Sequence, residues 1–138
     1  MHAAEIPAAN GITNARSLSR MYASLIGEVD GVRILAPDTV EKARTVQTEG
    51  DDRVLFFESK IGLGFFCSSA FTPYGGPGGF GHSGAGGSVG FADPEAGLSF
   101  GYVMNRMMQN LAGDPRSVGL IDATYAALRS RADRRGDQ

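Results

Sequence analysis

The apolar positions of this chain change their period partway along. Leu18, Met21, Tyr22, Leu25 and Ile26 recur every three or four residues, which gathers them on one helical face. Thr13 or Asn14 can cap that helix, and Gly27 and Gly31 bound its end. The pattern predicts a helix over about residues 14–27. Pro37 and Asp38 are helix-start residues, and a second helix is expected over roughly 38–47. Two runs rich in aromatic and aliphatic residues follow on either side of Lys60, RVLFFES and IGLGFFCSS, and read as strands. From Leu98 the period is two: Leu98, Phe100, Tyr102 and Met104 alternate with Ser99, Gly101, Val103 and Asn105. DPEAG, at 93–97, reads as the hairpin turn joining this strand to GGSVGFAD. Asp114 and Pro115 then open a last helix, with Val118, Ile121, Tyr125 and Leu128 on one face. Helix, helix, several antiparallel strands, helix is an α+β plan: an antiparallel sheet with flanking helices. It is read as a single domain over 1–132, with 133–138 as a flexible tail.

Composition narrows the partners. The chain has 138 residues, 42% apolar and 20% charged, as expected of one globular domain. A net charge of −2 argues against a nucleic-acid partner, which would call for a basic face. The one basic cluster, Arg129, Arg131, Arg134 and Arg135, is interrupted by Asp133 and lies at the C-terminal end. Cys67 is the sole cysteine, so no intrachain disulfide forms; it follows two phenylalanines and reads as a buried thiol. One cysteine and two histidines do not make the usual zinc sets, and no metal or other cofactor is expected. No run reaches the ~18 apolar residues of a membrane span. MHAAEIPAANG lacks the basic start and apolar core of a signal peptide, so the expected location is cytoplasmic.

The chemistry is concentrated in GFGHSGAGGSVGF, residues 79–91. G-x-G-x-x-G occurs twice, from Gly76 and from Gly79. A dinucleotide site needs a strand before such glycines and a helix after them, and here more strand follows. GGSVG, around Ser88, matches the G-x-S-x-G of a nucleophile elbow. That motif needs a helix after the serine and a later histidine, and no histidine follows His82. His82-Ser83-Gly84 remains, either a histidine closing a loop or part of a site.

FGHSGAGGSVGFADPEAGLSFGYVMNRM resembles the C-terminal part of the β-lactamase-related serine hydrolases, the class C β-lactamase, DD-peptidase and esterase relatives. IPAANGITNARSLSRMYASLIGEVDGVRILAPDTVEKA is similar to the helical segment before the strands in that family, and GLGFF to the strand leading to its third motif. The likeness covers nearly the whole chain and implies a partial β-lactamase/transpeptidase-like fold. The family builds its site from S-x-x-K, Y-x-[NS] and [KH]-[ST]-G. His82-Ser83-Gly84 matches the third. The resemblance implies that His82 and Ser83 line the substrate cleft and that Gly84 leaves room for substrate along the strand. It also implies that the backbone N–H of Ala85 is one oxyanion donor, the nucleophile's own N–H being the other.

The other two motifs do not fit. Lys42 follows TVE and Lys60 follows FES, so there is no S-x-x-K; Thr39-Val40-Glu41-Lys42 has the spacing but not the serine. Tyr22-Ala23-Ser24 matches Y-x-[NS] only inside the first predicted helix. The chain is therefore expected to be the later half of a larger hydrolase, an expressed fragment or a truncated reading frame. It would lack the nucleophile and be inactive alone. Its expected partners are a small acyl ester or amide substrate and either the missing N-terminal half or a second copy in a homodimer. Histidine in place of lysine removes a fixed positive charge near the site and inclines the reading toward neutral esters of esterase or lipase type. A non-catalytic remnant serving as a binding or interaction module is the alternative.

Overall fold

The computed structural model describes residues 6–9 and 11–136. Helix α1 is Ala15–Ile26; the Asn14 side chain caps it, accepting the Ser17 N–H at 2.9 Å. Helix α2 is Pro37–Arg44, with proline in its first turn and Val40 and Ala43 buried. Six strands follow: β1 Thr48–Asp51, β2 Glu58–Ile61, β3 Phe66–Cys67, β4 Phe80–Ser83, β5 Val89–Asp93 and β6 Leu98–Tyr102. They form one antiparallel sheet in sequence order, β1-β2-β3-β4-β5-β6. Helix α3 is Pro115–Gly136. The α+β plan, the three helices and the turn before β6 stand as the sequence predicts.

The two faces of the sheet bury different clusters, because neighbouring residues of a strand point to opposite sides. Phe80 and Ala92, paired across β4 and β5, meet Tyr22, Leu25 and Val40 from α1 and α2. Val89 and Phe91, on the other side of β5, meet Tyr74 and Ile121, with Phe100, Tyr102 and Tyr125 alongside. The helix α1 lies very close to β5. A Cβ at Gly90 would stand 2.6 Å from the Tyr22 ring and 2.8 Å from Leu18, so only glycine lets the helix seat there. Cys67 is buried, and its thiol donates to the Arg44 carbonyl at 3.2 Å. Burial pushes that thiol's pKa up, which keeps it protonated and unreactive. Among the described residues the outer edge of β6 pairs with no strand. A groove of about 630 Å³ runs beside it under α3, lined by Phe100, Tyr102, Leu120 and Leu128.

Three expectations change. The run RVLFFES is not a strand over its length: only Glu58 and Ser59 join β2. The Asp52 carboxylate accepts the N–H groups of Val54 and Leu55 at 2.7 and 2.8 Å, and that local turn outcompetes extension. Second, α2 stops at Arg44, and the polar Thr48–Asp51 forms edge strand β1, held to β2 partly by the 3.2 Å Lys60–Glu49 ion pair. Third, α3 continues through residues 133–136, read from sequence as tail; 137 and 138 lie outside the described residues. Among the described residues no helix is long and apolar enough to cross a membrane.

Candidate active-site wall

The glycine-rich stretch is a β-hairpin. Strand β4 carries Phe80 to Ser83, the chain turns over 84–88, and β5 returns from Val89. The Gly84 N–H donates to the Ser88 carbonyl at 2.7 Å and the Gly87 N–H to the Gly84 carbonyl at 3.1 Å. No helix follows either G-x-G-x-x-G or Ser88, so the dinucleotide and nucleophile-elbow readings fall on geometry.

The register sets His82 opposite Gly90 on the α1 side and Ser83 opposite Val89 on the α3 side. The His82 side chain is exposed, and its ring meets Phe66 edge-on with centroids 5.0 Å apart. Its Nδ1 lies 2.7 Å from the Ser83 carbonyl. A carbonyl only accepts, so Nδ1 carries the proton and Nε2 is the open acceptor. His82, Ser83 and Gly84 border a recess of about 320 Å³, whose opposite side is Leu18, Tyr22 and Val103. The Ser83 hydroxyl is turned the other way: it lies 3.0 Å from the hydroxyl of Tyr74, which is 1% exposed. Burial pushes the Tyr74 hydroxyl up to about 12, only partly offset by its bond to Ser83. Tyr74 therefore anchors Ser83 as a neutral group and cannot serve it as a base. Among the described residues the Ala85 N–H meets no acceptor.

A second element fixes this turn from outside. Arg116 binds Asp114 through Nε at 2.9 Å and Nη2 at 2.6 Å, a two-point contact. Its guanidinium also donates to the carbonyls of Arg106 at 2.8 Å and Gly86 at 3.2 Å. The Asn110 side-chain amide donates to Asp114 at 2.8 Å, and the Asn110 backbone carbonyl accepts the Gly86 N–H at 3.0 Å. The bonds from Arg116, then Asn110, hold the Asp114 carboxyl far below the usual carboxylate range. Gly87 has a φ of 118°, and a Cβ there would meet Asp114 at 2.2 Å. The loop after β6 is thereby bolted to the turn that carries Ala85. Sequence reasoning took Asp114-Pro115 only as a helix start and missed Tyr74, Asn110 and Arg116. Their signal was a single Asp-Pro-Arg beside a loop of no period.

The residues weighed for the missing motifs lie elsewhere. Lys60 is paired with Glu49, and neither Lys42 nor Lys60 borders the recess. Tyr22 does border it, but its ring is buried against Phe65 and Phe80. Burial, with Tyr74 nearby, drives its hydroxyl far above the usual tyrosine range, so it is no base. Because His82 is exposed, His82→Gln is expected to change stability by no more than ~0.5 kcal/mol. Thermal unfolding of the two proteins side by side checks this; a loss of several kcal/mol would make His82 a core residue.

The comparisons concern the family and the fold. The beta-lactamase family model matches residues 1–123. The esterase/beta-lactamase LipL of Mycobacterium tuberculosis (strain ATCC 25618 / H37Rv) is 42% identical over 113 residues, 78% of this chain and 25% of LipL. The crystal structure of a family VIII carboxylesterase superposes with a TM-score of 0.85 at 39% identity, covering 91% of this chain and 34% of the esterase. A penicillin-binding protein homolog from Caulobacter crescentus gives a TM-score of 0.77 at 43% identity, over 81% of this chain and 31% of its own. EstA from Arthrobacter nitroguajacolicus Rue61a gives 0.75 at 31%, over 86% and 32%. The chain thus spans between a quarter and about a third of the length of these relatives. With the family matched over nearly all of its residues and the HSG strand in place, this chain belongs to the beta-lactamase/esterase-like family of serine hydrolases.

Proposed function

We propose that the chain is the C-terminal portion of a serine ester hydrolase, supplying the HSG wall and one oxyanion donor while the nucleophile comes from residues outside this sequence. The observation that carries the reading is the exposed His82 at the recess, followed three residues later by the uncommitted Ala85 N–H in the adjoining turn. A hairpin holds that N–H in place before charge develops on a carbonyl oxygen, which is the condition for oxyanion stabilisation. At Gly84 a Cβ would stand 2.2 Å from the Ser88 hydroxyl, so the missing side chain makes room for Ser88 across the turn. His82 offers Nε2 to the substrate or to a neighbouring hydroxyl. The name of LipL covers both esterase and beta-lactamase, and it is the carboxylesterase of the superposed structure that favours ester as the substrate class. The free edge of β6 and its groove are, on this reading, the seam to the rest of the hydrolase, or to a second copy.

The chain alone is expected to be inactive. The Ser83 hydroxyl is spent on Tyr74, and neither Ser83 nor Ser88 has a lysine or ionised tyrosine beside it; an unactivated hydroxyl is a weak nucleophile. Its turnover of p-nitrophenyl acetate should not exceed that of free imidazole at equal concentration. Faster turnover that disappears in Ser83→Ala or Ser88→Ala would place the nucleophile within these residues. Sequencing the coding DNA upstream of the Met1 codon tests the whole reading. An in-frame S-x-x-K supports it, and an in-frame stop codon there favours a non-catalytic binding module.

A further inference from the structure

Ala85 stands in a stretch with little stiffness of its own, GAGG at 84–87. Glycine has more conformational freedom to lose on folding than any other residue. Gly86 and Gly87 sit at φ of 97° and 118°, where side-chain-bearing residues are rarely found. An oxyanion donor is useful only if it already points at its target before charge develops. The stiffness that this turn needs must therefore come from outside its own sequence.

The direction of the Ala85 N–H is set by the carbonyl of Gly84. In a trans peptide the two groups share one plane and point opposite ways, so whatever holds the carbonyl aims the N–H. The Gly87 N–H holds that carbonyl, at 3.1 Å. Gly87 in turn rests on Asp114 and Arg116: a Cβ there would stand 2.2 Å from the carboxylate and 2.7 Å from the guanidinium. Gly86 is gripped at both ends. Its N–H donates to the Asn110 backbone carbonyl at 3.0 Å, and its carbonyl accepts from the Met108 N–H at 3.1 Å and from Arg116 Nη2 at 3.2 Å. The anchor itself is firm. The Asp114 side chain is 2% exposed, binds Arg116 at two points, and Arg116 Nη1 reaches the Arg106 carbonyl at 2.8 Å. One guanidinium thus joins the start of α3, the loop after β6 and the turn of the HSG hairpin.

We infer that Asp114 and Arg116 are the positioning pair of the oxyanion donor, fixing the direction of the Ala85 N–H through Gly86 and Gly87. This rests on the acyl-transfer reading of Ala85. Lysine at 116 keeps a charge beside Asp114 but has no planar fork to hold the carboxylate and both carbonyls together. Removing the charge of Arg116 alone would leave a buried carboxylate unpaired, so the two side chains are neutralised together in the second variant.

The test is backbone 15N relaxation on the native chain, on Arg116→Lys and on the double variant Asp114→Asn/Arg116→Gln. In the native chain the Ala85 amide should have an order parameter of about 0.85, that of rigid backbone. In both variants the amides of residues 85–87 should fall below about 0.6, while Ser83 and Val89 keep their native values. The residual dipolar coupling of the Ala85 N–H should change in the same variants. Should the double variant fail to fold, Arg116→Lys decides alone.

A pair that serves stability only would lower the melting midpoint and leave Ala85 as ordered as Ser83; that result overturns the positioning role. Order fully retained in Arg116→Lys overturns it too, because charge without the fork would then suffice. So does an Ala85 amide that is already loose in the native chain. Each of these leaves the acyl-transfer reading standing, since the coding sequence upstream of Met1 tests that reading separately. An in-frame stop codon there, with Ala85 loosened in the variants, overturns the oxyanion assignment while the turn's dependence on the pair remains.

Discussion

Replacing Phe91 with alanine is expected to cost about 3–5 kcal/mol of stability, the usual range for emptying a buried aromatic site. Phe91 is 0% exposed and sits in mid-sheet, opposite Gly81 on β4 and Phe100 on β5's other side. Its ring stacks on Tyr74 at 5.8 Å and on Phe100 at 5.4 Å, and Ile121 of α3 closes the cluster. The void would open under Tyr74, whose hydroxyl anchors Ser83, so the HSG strand loses support together with the core. Urea unfolding should show a lower midpoint with an unchanged slope. The melting temperature should fall by roughly 10 °C or more. Leu120→Ala, half-exposed at the open groove beside β6, is the control and should stay within ~0.5 kcal/mol. A Phe91→Ala loss below 1 kcal/mol would mean that the face under α3 is not closely packed.

What the sequence makes legible here is what has a period. The face Leu18, Tyr22, Leu25 is a helix pattern, and the burial of Tyr22 and Leu25 against the sheet is its consequence. Phe100 and Tyr102 alternate with Ser99 and Gly101, and the structure sends them to opposite faces. Strand β1 has no such pattern. TEGD is polar throughout, and only its pairing with Glu58–Ile61 makes it a strand. RVLFF misleads for the opposite reason: its composition favours extension, while one carboxylate, Asp52, bends it through two short backbone bonds.

The candidate site divides the same way. His82-Ser83-Gly84 is contiguous and could be read directly. The direction of each side chain could not, because it depends on which neighbour fills the space behind. Ser83 turns to Tyr74, nine residues earlier, and the Gly86 turn is held by Arg116, thirty residues later. Such partners meet only after the sheet forms. Phe56, Phe57 and Phe66 were read as β-formers within RVLFFES and IGLGFFCSS, but the positive φ of Phe56 and the flat Phe57–Phe71 stack belong to tertiary structure.

Asp93→Asn is expected to cost about 2–3 kcal/mol at neutral pH, in the range for unpairing buried partners of a charged group. The Asp93 side chain is 1% exposed and ties three segments together. One oxygen accepts the Tyr125 hydroxyl at 2.6 Å and the Gly76 N–H at 2.8 Å, while the other accepts the Ala96 N–H at 3.2 Å. Helix α3, the loop before β4 and the turn before β6 thus share one carboxylate. An amide places N–H groups where one of these donors needs an acceptor. Burial pushes the Asp93 carboxyl up, but the Tyr125 hydroxyl and the two backbone N–H groups outweigh it, and the net shift is downward. The unfolded chain therefore binds this proton at a higher pH than the folded one. The stabilisation is fully present above the ordinary carboxylate value near 4 and is lost as pH falls through the lower folded value. Asp52 and Asp114 are also shifted down and add the same sign to the whole acid transition. The difference between the native chain and Asp93→Asn isolates Asp93. Urea unfolding of both proteins from pH 7 to pH 3 should show a constant gap down to about pH 4 that narrows below it. A gap that narrows already above pH 5 would mean that burial, not the three donors, sets the state of this carboxyl.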